Sequence, residues 1–322
     1  MLGKFFRKNG QILLFSLSFV LPSLAVKAAP THIELPSIGD PSDNAMSPEE
    51  EKRLGAQVVR NLNKEGVILD DPILTDYLTR IGINLVRKSG DVSTQFHFFM
   101  VKDTTINAFA LPGGYIGINA GLILAARNES ELAGVMAHEV AHVTQRHIAR
   151  IVGGSKGMNI VAAAAVLAAI LLGGSSPELA QAALIAGTSL SYQSQINFTR
   201  EHEMEADRVG LRNLAESGYS PQGMASFFER LDEQGRLYGG NTPEMLRTHP
   251  LTTNRIADAR ARADSYRGGR TDSQEFMAMQ ARTKVLAESD PSQTLDYFQR
   301  SLTENLTQSA EQKTAIQYGL AI

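Results

Sequence analysis

Apolar and polar positions recur along this chain with two periods, and the changes of period mark its elements. Ser47-Pro48-Glu49-Glu50 has the form of a capping box with proline at the first helical position, so a helix is expected from there to about Asn63. A second should follow Asp71-Pro72 and end near Gly90. Phe96-His97-Phe98-Phe99-Met100-Val101 reads as a buried strand. Phe109-Ala110-Leu111 and Tyr115-Ile116-Gly117-Ile118 read as two more, around a Pro112-Gly113-Gly114 turn. Asn128-Glu129-Ser130-Glu131 repeats the capping-box form, with Asn128 as N-cap and Glu131 at N3. Leu132, Val135, Met136, Val140 and Val143 follow at helical spacing. A small sheet followed by an amphipathic helix gives an α+β domain.

The flanking segments divide the chain. Lys4, Arg7 and Lys8, then an apolar core from Ile12 to Val20, then Val26-Lys27-Ala28, make residues 1–28 a cleavable secretory signal. The apolar run is short for a bilayer span, which takes about 20 residues. Residues 29–45 are a proline-containing, extended lead-in. A charged break at Arg267 to Asp272, around Gly268-Gly269, sets the end of the main domain, 46–268, and leaves a helical segment, 269–322. In that segment Tyr297-Phe298, Leu302 and Leu306 lie on one helical face. The ending at Gly319-Leu320-Ala321-Ile322 offers no helix cap, so the chain reads as a fragment or a shortened form. Between these regions Met158 to Leu172 and Leu179 to Leu190 are alanine-rich and apolar, broken by Gly173-Gly174-Ser175-Ser176-Pro177. Three readings of 158–190 stay open: a buried helical hairpin, a flap over the active site that also meets membrane or a partner, or a membrane-spanning pair. Its alanine content argues against strong insertion, because alanine carries little apolar area.

Composition narrows the function. The chain has 322 residues, 43% of them hydrophobic, which is enough for an ordinary core. A net charge of −3 gives no basic surface for nucleic acid. The absence of cysteine excludes disulfides, thiol catalysis and an N-terminal lipidated cysteine.

Chemistry enters at His138-Glu139-Val140-Ala141-His142. Positions i and i+4 share one helical face, so both imidazoles can reach one metal ion. The intervening glutamate lies about 100° around from the first histidine, within reach of a water on that metal. Such a hydrolytic zinc site needs a third protein ligand and an open fourth position. His147 is five residues beyond His142, about 140° off the ligand face, and is expected to be a partly exposed helix residue. The third ligand is expected in Arg200-Glu201-His202-Glu203-Met204-Glu205-Ala206-Asp207. Glu203 and Asp207 are one turn apart, so one can bind metal while the other accepts a hydrogen bond from a ligating histidine. By spacing alone Glu201, His202 and Glu205 compete with Glu203. Pro250 disfavours helix at His249, which therefore sits on a loop or just before a helix.

Four blocks in this order carry a resemblance: Asn107-Ala108-Phe109-Ala110-Leu111-Pro112-Gly113-Gly114, the H-E-x-x-H segment, Glu203-Met204-Glu205-Ala206-Asp207 and Thr248-His249-Pro250. Over about residues 45 to 265 the chain resembles the M48 family of zinc metallopeptidases, in particular its periplasmic type that enhances β-barrel assembly. The resemblance implies a zincin-like fold with one Zn²⁺ per chain, held by His138, His142 and Glu203. It implies Glu139 as general base, with Asp207 orienting a ligand. It implies His249 on a loop near the metal, either occupying the open position or assisting catalysis, and Arg255 as an oxyanion donor. It further implies that a sheet edge receives substrate as an added strand. The segment 269–322 resembles the start of a tetratricopeptide array.

The expected protein is thus a periplasmic zinc endopeptidase that degrades misfolded or misassembled proteins, outer-membrane β-barrel proteins among them, and assists their assembly. Its expected partners are unfolded substrates, the barrel-assembly machinery and the membrane surface, with no nucleic acid. Two rivals stand beside it. One is a non-hydrolytic chaperone or scaffold with a vestigial zinc site, in which Glu139 would have no purpose. The other is an integral-membrane peptidase of the same family, for which the apolar run is short.

Overall fold

The protein is represented by a computed structural model that describes residues 46–154, 192–237, 243–304 and 309–322. The expected signal, the lead-in and the apolar stretch 158–190 lie outside these residues. Helix α1, Pro48–Lys64, starts as its sequence dictates: Ser47 Oγ accepts the Glu50 N–H, and Glu50 Oε2 accepts the Ser47 N–H at 2.9 Å. Such a cap stabilises a helix by about 1 kcal/mol. Helix α2, Pro72–Ser89, is capped by Asp71, whose carboxylate accepts the Leu74 N–H at 2.9 Å, and it ends at Gly90 in the left-handed region.

Strands β1 (Ile68–Leu69), β2 (His97–Val101), β3 (Ala108–Leu111) and β4 (Tyr115–Asn119) form one sheet in the order β1-β2-β4-β3. β2 and β4 are parallel; the other pairs are antiparallel. Phe98 and Met100 of β2 join the core beneath α2, while Phe99 and Val101 join a second core beneath α1 with Leu54, Val58 and Leu62. Cover on both faces explains why the sequence of β2 is an apolar run with no alternation. The β3–β4 turn needs glycine: Gly113 and Gly114 have φ of 75° and 89°. The two-residue β1 is too short to leave a periodic pattern, and the sequence does not announce it. The same holds for α3, Ala120–Ala125, whose N-cap Asn119 makes no side-chain capping bond.

Helix α4, Glu129–Thr144, carries the H-E-x-x-H segment. The expected amphipathic helix is instead buried on every face from Glu129 to Ala141. It packs against α2, β3, α6 (Tyr192–Glu216) and α7 (Gln222–Leu237). Ala133, Gly134, Ala137 and Ala141 make this possible, because small side chains admit close neighbours on the face opposite the large apolar ones. The expected capping box is only half formed. Asn128 Oδ1 accepts the Glu131 N–H at 3.0 Å, but Glu131 Oε2 turns to the Arg127 N–H at 2.7 Å. Helix α5, His147–Gly154, follows after Arg146, a non-glycine residue at φ 52°.

The chain continues through α8 (Glu244–Thr248), α9 (Thr253–Ser265), α10 (Gln274–Ala287), α11 (Pro291–Glu304) and α12 (Ala310–Ala321). α9 packs on α6 and α7. α10 lies on α2 and α3, where Arg282 Nη2 meets Asp71 Oδ2 at 2.6 Å and Gln280 Nε2 donates to the Ala126 carbonyl at 2.7 Å. On α11 Phe298 is buried, while Tyr297 and Leu302 are exposed; Leu306 lies outside the described residues. No helix among the described residues is long and apolar enough to cross a membrane.

α6 comes close to α4 at Gly210, where a β-carbon would sit 2.9 Å from the Ala137 carbonyl, one residue before His138. Overpacking of this kind costs about 1–3 kcal/mol. Gly210→Val is expected to lower the denaturation midpoint accordingly and to weaken metal binding by forcing α6 off α4. Chemical denaturation together with a metal titration checks both.

Candidate metal centre

Four side chains from two helices and a loop meet in the interior. His138 and His142 come from one face of α4, Glu203 from α6, and His249 from the residue after α8. One potential ligand atom from each lies within 4.8 Å of the others. His138 Nε2 is 3.0 Å from His142 Nε2 and 3.3 Å from Glu203 Oε2. Glu203 Oε1 is 3.3 Å from His142 Nε2 and 3.0 Å from His249 Nδ1. His249 Nδ1 is 3.4 Å from His138 Nε2. The candidates that competed with Glu203 face elsewhere: Glu201 is exposed, while Glu205 and His202 pack against His147.

The neighbours of these groups set their states. His138 Nδ1 lies 3.0 Å from Asp207 Oδ1, so a proton there is donated to a carboxylate and Nε2 is the atom that faces the cluster. Asp207 is gripped by Arg255, with Nε to Oδ2 at 2.7 Å and Nη2 to Oδ1 at 2.8 Å. Arg255 Nη1 also reaches the Pro250 carbonyl at 2.8 Å and Glu203 Oε2 at 2.9 Å. The guanidinium expected at an oxyanion is thus buried, with both of its ends and Nε engaged, and it braces Asp207 and Glu203. Glu139 is fully buried, and its Oε1 lies 3.6 Å from His249 Nε2. Phe228 of α7 closes the back of the site, edge-on to His138 at 6.2 Å.

Charge follows from this packing. Burial opposes a proton on His138, but the Asp207 and Glu203 carboxylates outweigh it and hold the imidazole up at about 10. Burial pushes His142 down, and its positive neighbour His138 adds to that. Glu203 lies well below the usual carboxylate range, because His249 and His142 overcome its burial.

His147 departs from its expected place. It is 1% exposed, with Nδ1 2.8 Å from His142 Nδ1. The predicted offset of about 140° assumed one continuous helix. The chain breaks at Arg146 between α4 and α5, and the break swings His147 back toward His142. Neither Gln145 nor Arg146 is a residue type that marks such a break, so the sequence carries no sign of it.

An H-E-x-x-H helix beside a small mixed sheet, with a carboxylate delivered from a later helix, defines a zincin-like metal-binding domain. Residues 72–263 match the model of peptidase family M48, and the chain belongs to that family. It is 38% identical to the beta-barrel assembly-enhancing protease of Escherichia coli K12 over 289 residues, covering 89% of this chain and 58% of that protein. It is 36% identical to the protein of the same name from Yersinia pestis over 294 residues, covering 89% and 59%. It is also 27% identical to the mitochondrial metalloendopeptidase OMA1 of Schizosaccharomyces pombe over 234 residues, covering 70% and 65%. The chain therefore spans less than two thirds of the length of these relatives.

Metal binding should release protons. With its pKa held at about 10, His138 is protonated near pH 7.5 in the metal-free protein, and a ligating imidazole nitrogen must be free of its proton. Titration with a divalent metal ion at pH 7.5 is expected to liberate about one proton per chain or more. Calorimetry in buffers of different ionisation enthalpy reads that number, and a value near zero contradicts the assignment of states.

Proposed function

We propose that this chain is a zinc-dependent endopeptidase of the cell envelope. The observation that carries the proposal is the buried convergence of His138, His142, Glu203 and His249 beside the fully buried Glu139 carboxylate. The donor set suits zinc. Nitrogen and oxygen donors about 2.0–2.1 Å from a tetrahedral Zn²⁺ are separated by about 3.4 Å. The donor separations given above run from 3.0 to 3.4 Å. Lone pairs of two imidazoles facing one another and a carboxylate are mutually repulsive unless a proton or a cation lies among them. We assign His138, His142 and Glu203 as ligands of one Zn²⁺ per chain.

A zinc ion held there supplies Lewis acidity that polarises a peptide carbonyl and makes water a competent nucleophile near neutral pH. The chain's residues do the rest. Glu139 takes the proton of the attacking water and passes it to the leaving amine. Asp207 fixes the His138 tautomer, and we assign Arg255 to hold Asp207 and Glu203 in place rather than to meet the oxyanion. His249 faces the same point as the three ligands, which supports a latched resting state in which it fills the fourth position. The β3 strand is an edge in the order β1-β2-β4-β3, and it packs on α4, which supports strand addition as the mode of substrate binding.

Relatives and sequence support a substrate class and a place. Relatives named for β-barrel assembly support misfolded or misassembled outer-membrane β-barrel proteins as substrates and the barrel-assembly machinery as partner. The signal-like residues 1–28 support export to the periplasm, with 46–268 as the protease domain and 269–322 as the start of a helical repeat region. A scaffold with a vestigial metal site would give the buried Glu139 carboxylate no task, and that is the ground for preferring hydrolysis.

Glu139→Gln is expected to keep about one zinc per chain and to lose cleavage of an unfolded substrate by about 10²–10⁴-fold, since it removes the base and no ligand. Glu203→Ala should lose the metal itself. Zinc analysis and a casein assay on the same samples separate these effects, and wild-type turnover by Glu139→Gln would refute the mechanism. His249→Ala should retain zinc and raise basal proteolysis if the residue is a latch. A fall of about 10²–10³-fold would mark it as an oxyanion donor instead.

A further inference from the structure

His142 has a built partner on the side away from the cluster, and it is an imidazole rather than a carboxylate. His147 Nδ1 stands 2.8 Å from His142 Nδ1. His147 Nε2 stands 3.2 Å from Glu205 Oε2, and Arg150 Nη1 fixes that same oxygen at 2.7 Å. The His147 ring is stacked on His202, with centroids 4.4 Å apart and planes 11° apart. It therefore cannot tilt without losing that contact.

Proton counting orders the chain. Two ring nitrogens at 2.8 Å share one proton: two would clash and none would oppose two lone pairs. His142 Nε2 faces His138 and Glu203, so Nε2 is its metal-facing atom. A neutral imidazole ligating through Nε2 carries its proton on Nδ1, and this proton is the donor to His147. His147 must then offer a lone pair at Nδ1 and carry its own proton on Nε2, which it donates to Glu205.

We infer that His147 is a positioning residue for the metal centre, holding His142 in its ligating tautomer and relaying that hold to Glu205 and Arg150. The inference rests on the metal-centre reading above. It makes the two histidine ligands unequal. His138 leans on a carboxylate that is buried and locked by Arg255, whereas His142 leans on a neutral ring whose carboxylate end is 37% exposed.

The test uses zinc itself as probe. Competition with a chelator at fixed pH measures affinity for the wild type, His147→Phe and His147→Gln. Phenylalanine keeps a flat ring against His202 but has no acceptor; the glutamine amide can accept from His142 and donate to Glu205. Loss of an outer partner of a metal-bound histidine typically costs 10–100-fold in affinity. We expect a fall of about that size for His147→Phe, with much of it recovered in His147→Gln. A merely structural role would move the melting temperature of the metal-free protein and leave the affinity unchanged. In the zinc-loaded wild type, ¹⁵N spectra of the histidine rings should show His147 protonated on Nε2. That measurement decides the matter even if His147→Phe fails to fold. A proton on Nδ1 of His147, or an affinity for His147→Phe within twofold of wild type, overturns the proposal. Both of those results leave zinc bound, so they sink the relay alone; a wild type that takes up no zinc sinks the metal-centre reading with it.

Discussion

A helix buried on every face can hold ionisable side chains only where each of them finds a partner, because an unpaired charge in an apolar interior costs several kcal/mol. Helix α4 carries Glu129, Glu131, His138 and Glu139 in such a position. Much of the surrounding architecture answers that demand. Glu129 accepts from Tyr77 of α2 and Ser273 before α10, each at 2.9 Å. Glu131 takes Arg230 and Ser226 of α7. His138 takes Asp207, His142 takes His147, and Glu139 faces His249. The helices that enclose α4 therefore supply its counter-charges as well as its apolar contacts.

The pair between Asp207 and Arg255 shows how far this reaches. It joins α6 to α9 across 48 residues of sequence, with two donors of one fork on two oxygens of one carboxylate. Removing one member of a buried pair typically costs about 3–5 kcal/mol, because the other is left charged and alone. The same guanidinium reaches Glu203, so a change at Arg255 would act on metal binding and on folding together. Fold and site share this interaction, and neither can be altered independently of the other.

What could be read from the sequence was local. The Ser47 capping box, the Asp71 cap, the Gly113-Gly114 turn and the spacing of His138 and His142 are properties of short windows, and the helices and strands that they mark lie within a residue or two of expectation. Long-range facts were not legible. Helical spacing of Leu132, Val135 and Met136 indicates an apolar face, but it cannot tell whether Ala133, Gly134 and Ala137 opposite them meet water or another helix. Spacing alone left Glu201, His202, Glu203 and Glu205 equivalent, since only tertiary placement separates the cluster side of α6 from the His147 side. His147 departs from helical spacing because Arg146, a non-glycine residue at φ 52°, breaks the chain between α4 and α5, and no local propensity announces it.

Three of the four clustered donors stand on long, enclosed helices, and the fourth does not. His249 follows a helix of five residues, and its backbone is held through a short series of bonds. Its N–H donates to the Met245 carbonyl at 2.8 Å, and the Met245 N–H donates to the Ile106 carbonyl at 3.2 Å. Thr248 Oγ1 is 3.5 Å from Asn107 Oδ1, a marginal contact at the approach to β3. Met245 anchors this helix in the core, but a five-residue helix joined to the rest by so few backbone bonds lies toward the low end of local stability, where openings cost least. The donor with the weakest attachment is thus the one tied to the edge strand. A peptide added along β3 would bear on the residues that hold His249, and it would favour the open centre only to the degree that it binds that state better. On the proposed reading, firmly held donors on α4 and α6 with a less firmly held fourth donor would let the centre keep a metal ion while one coordination position changed.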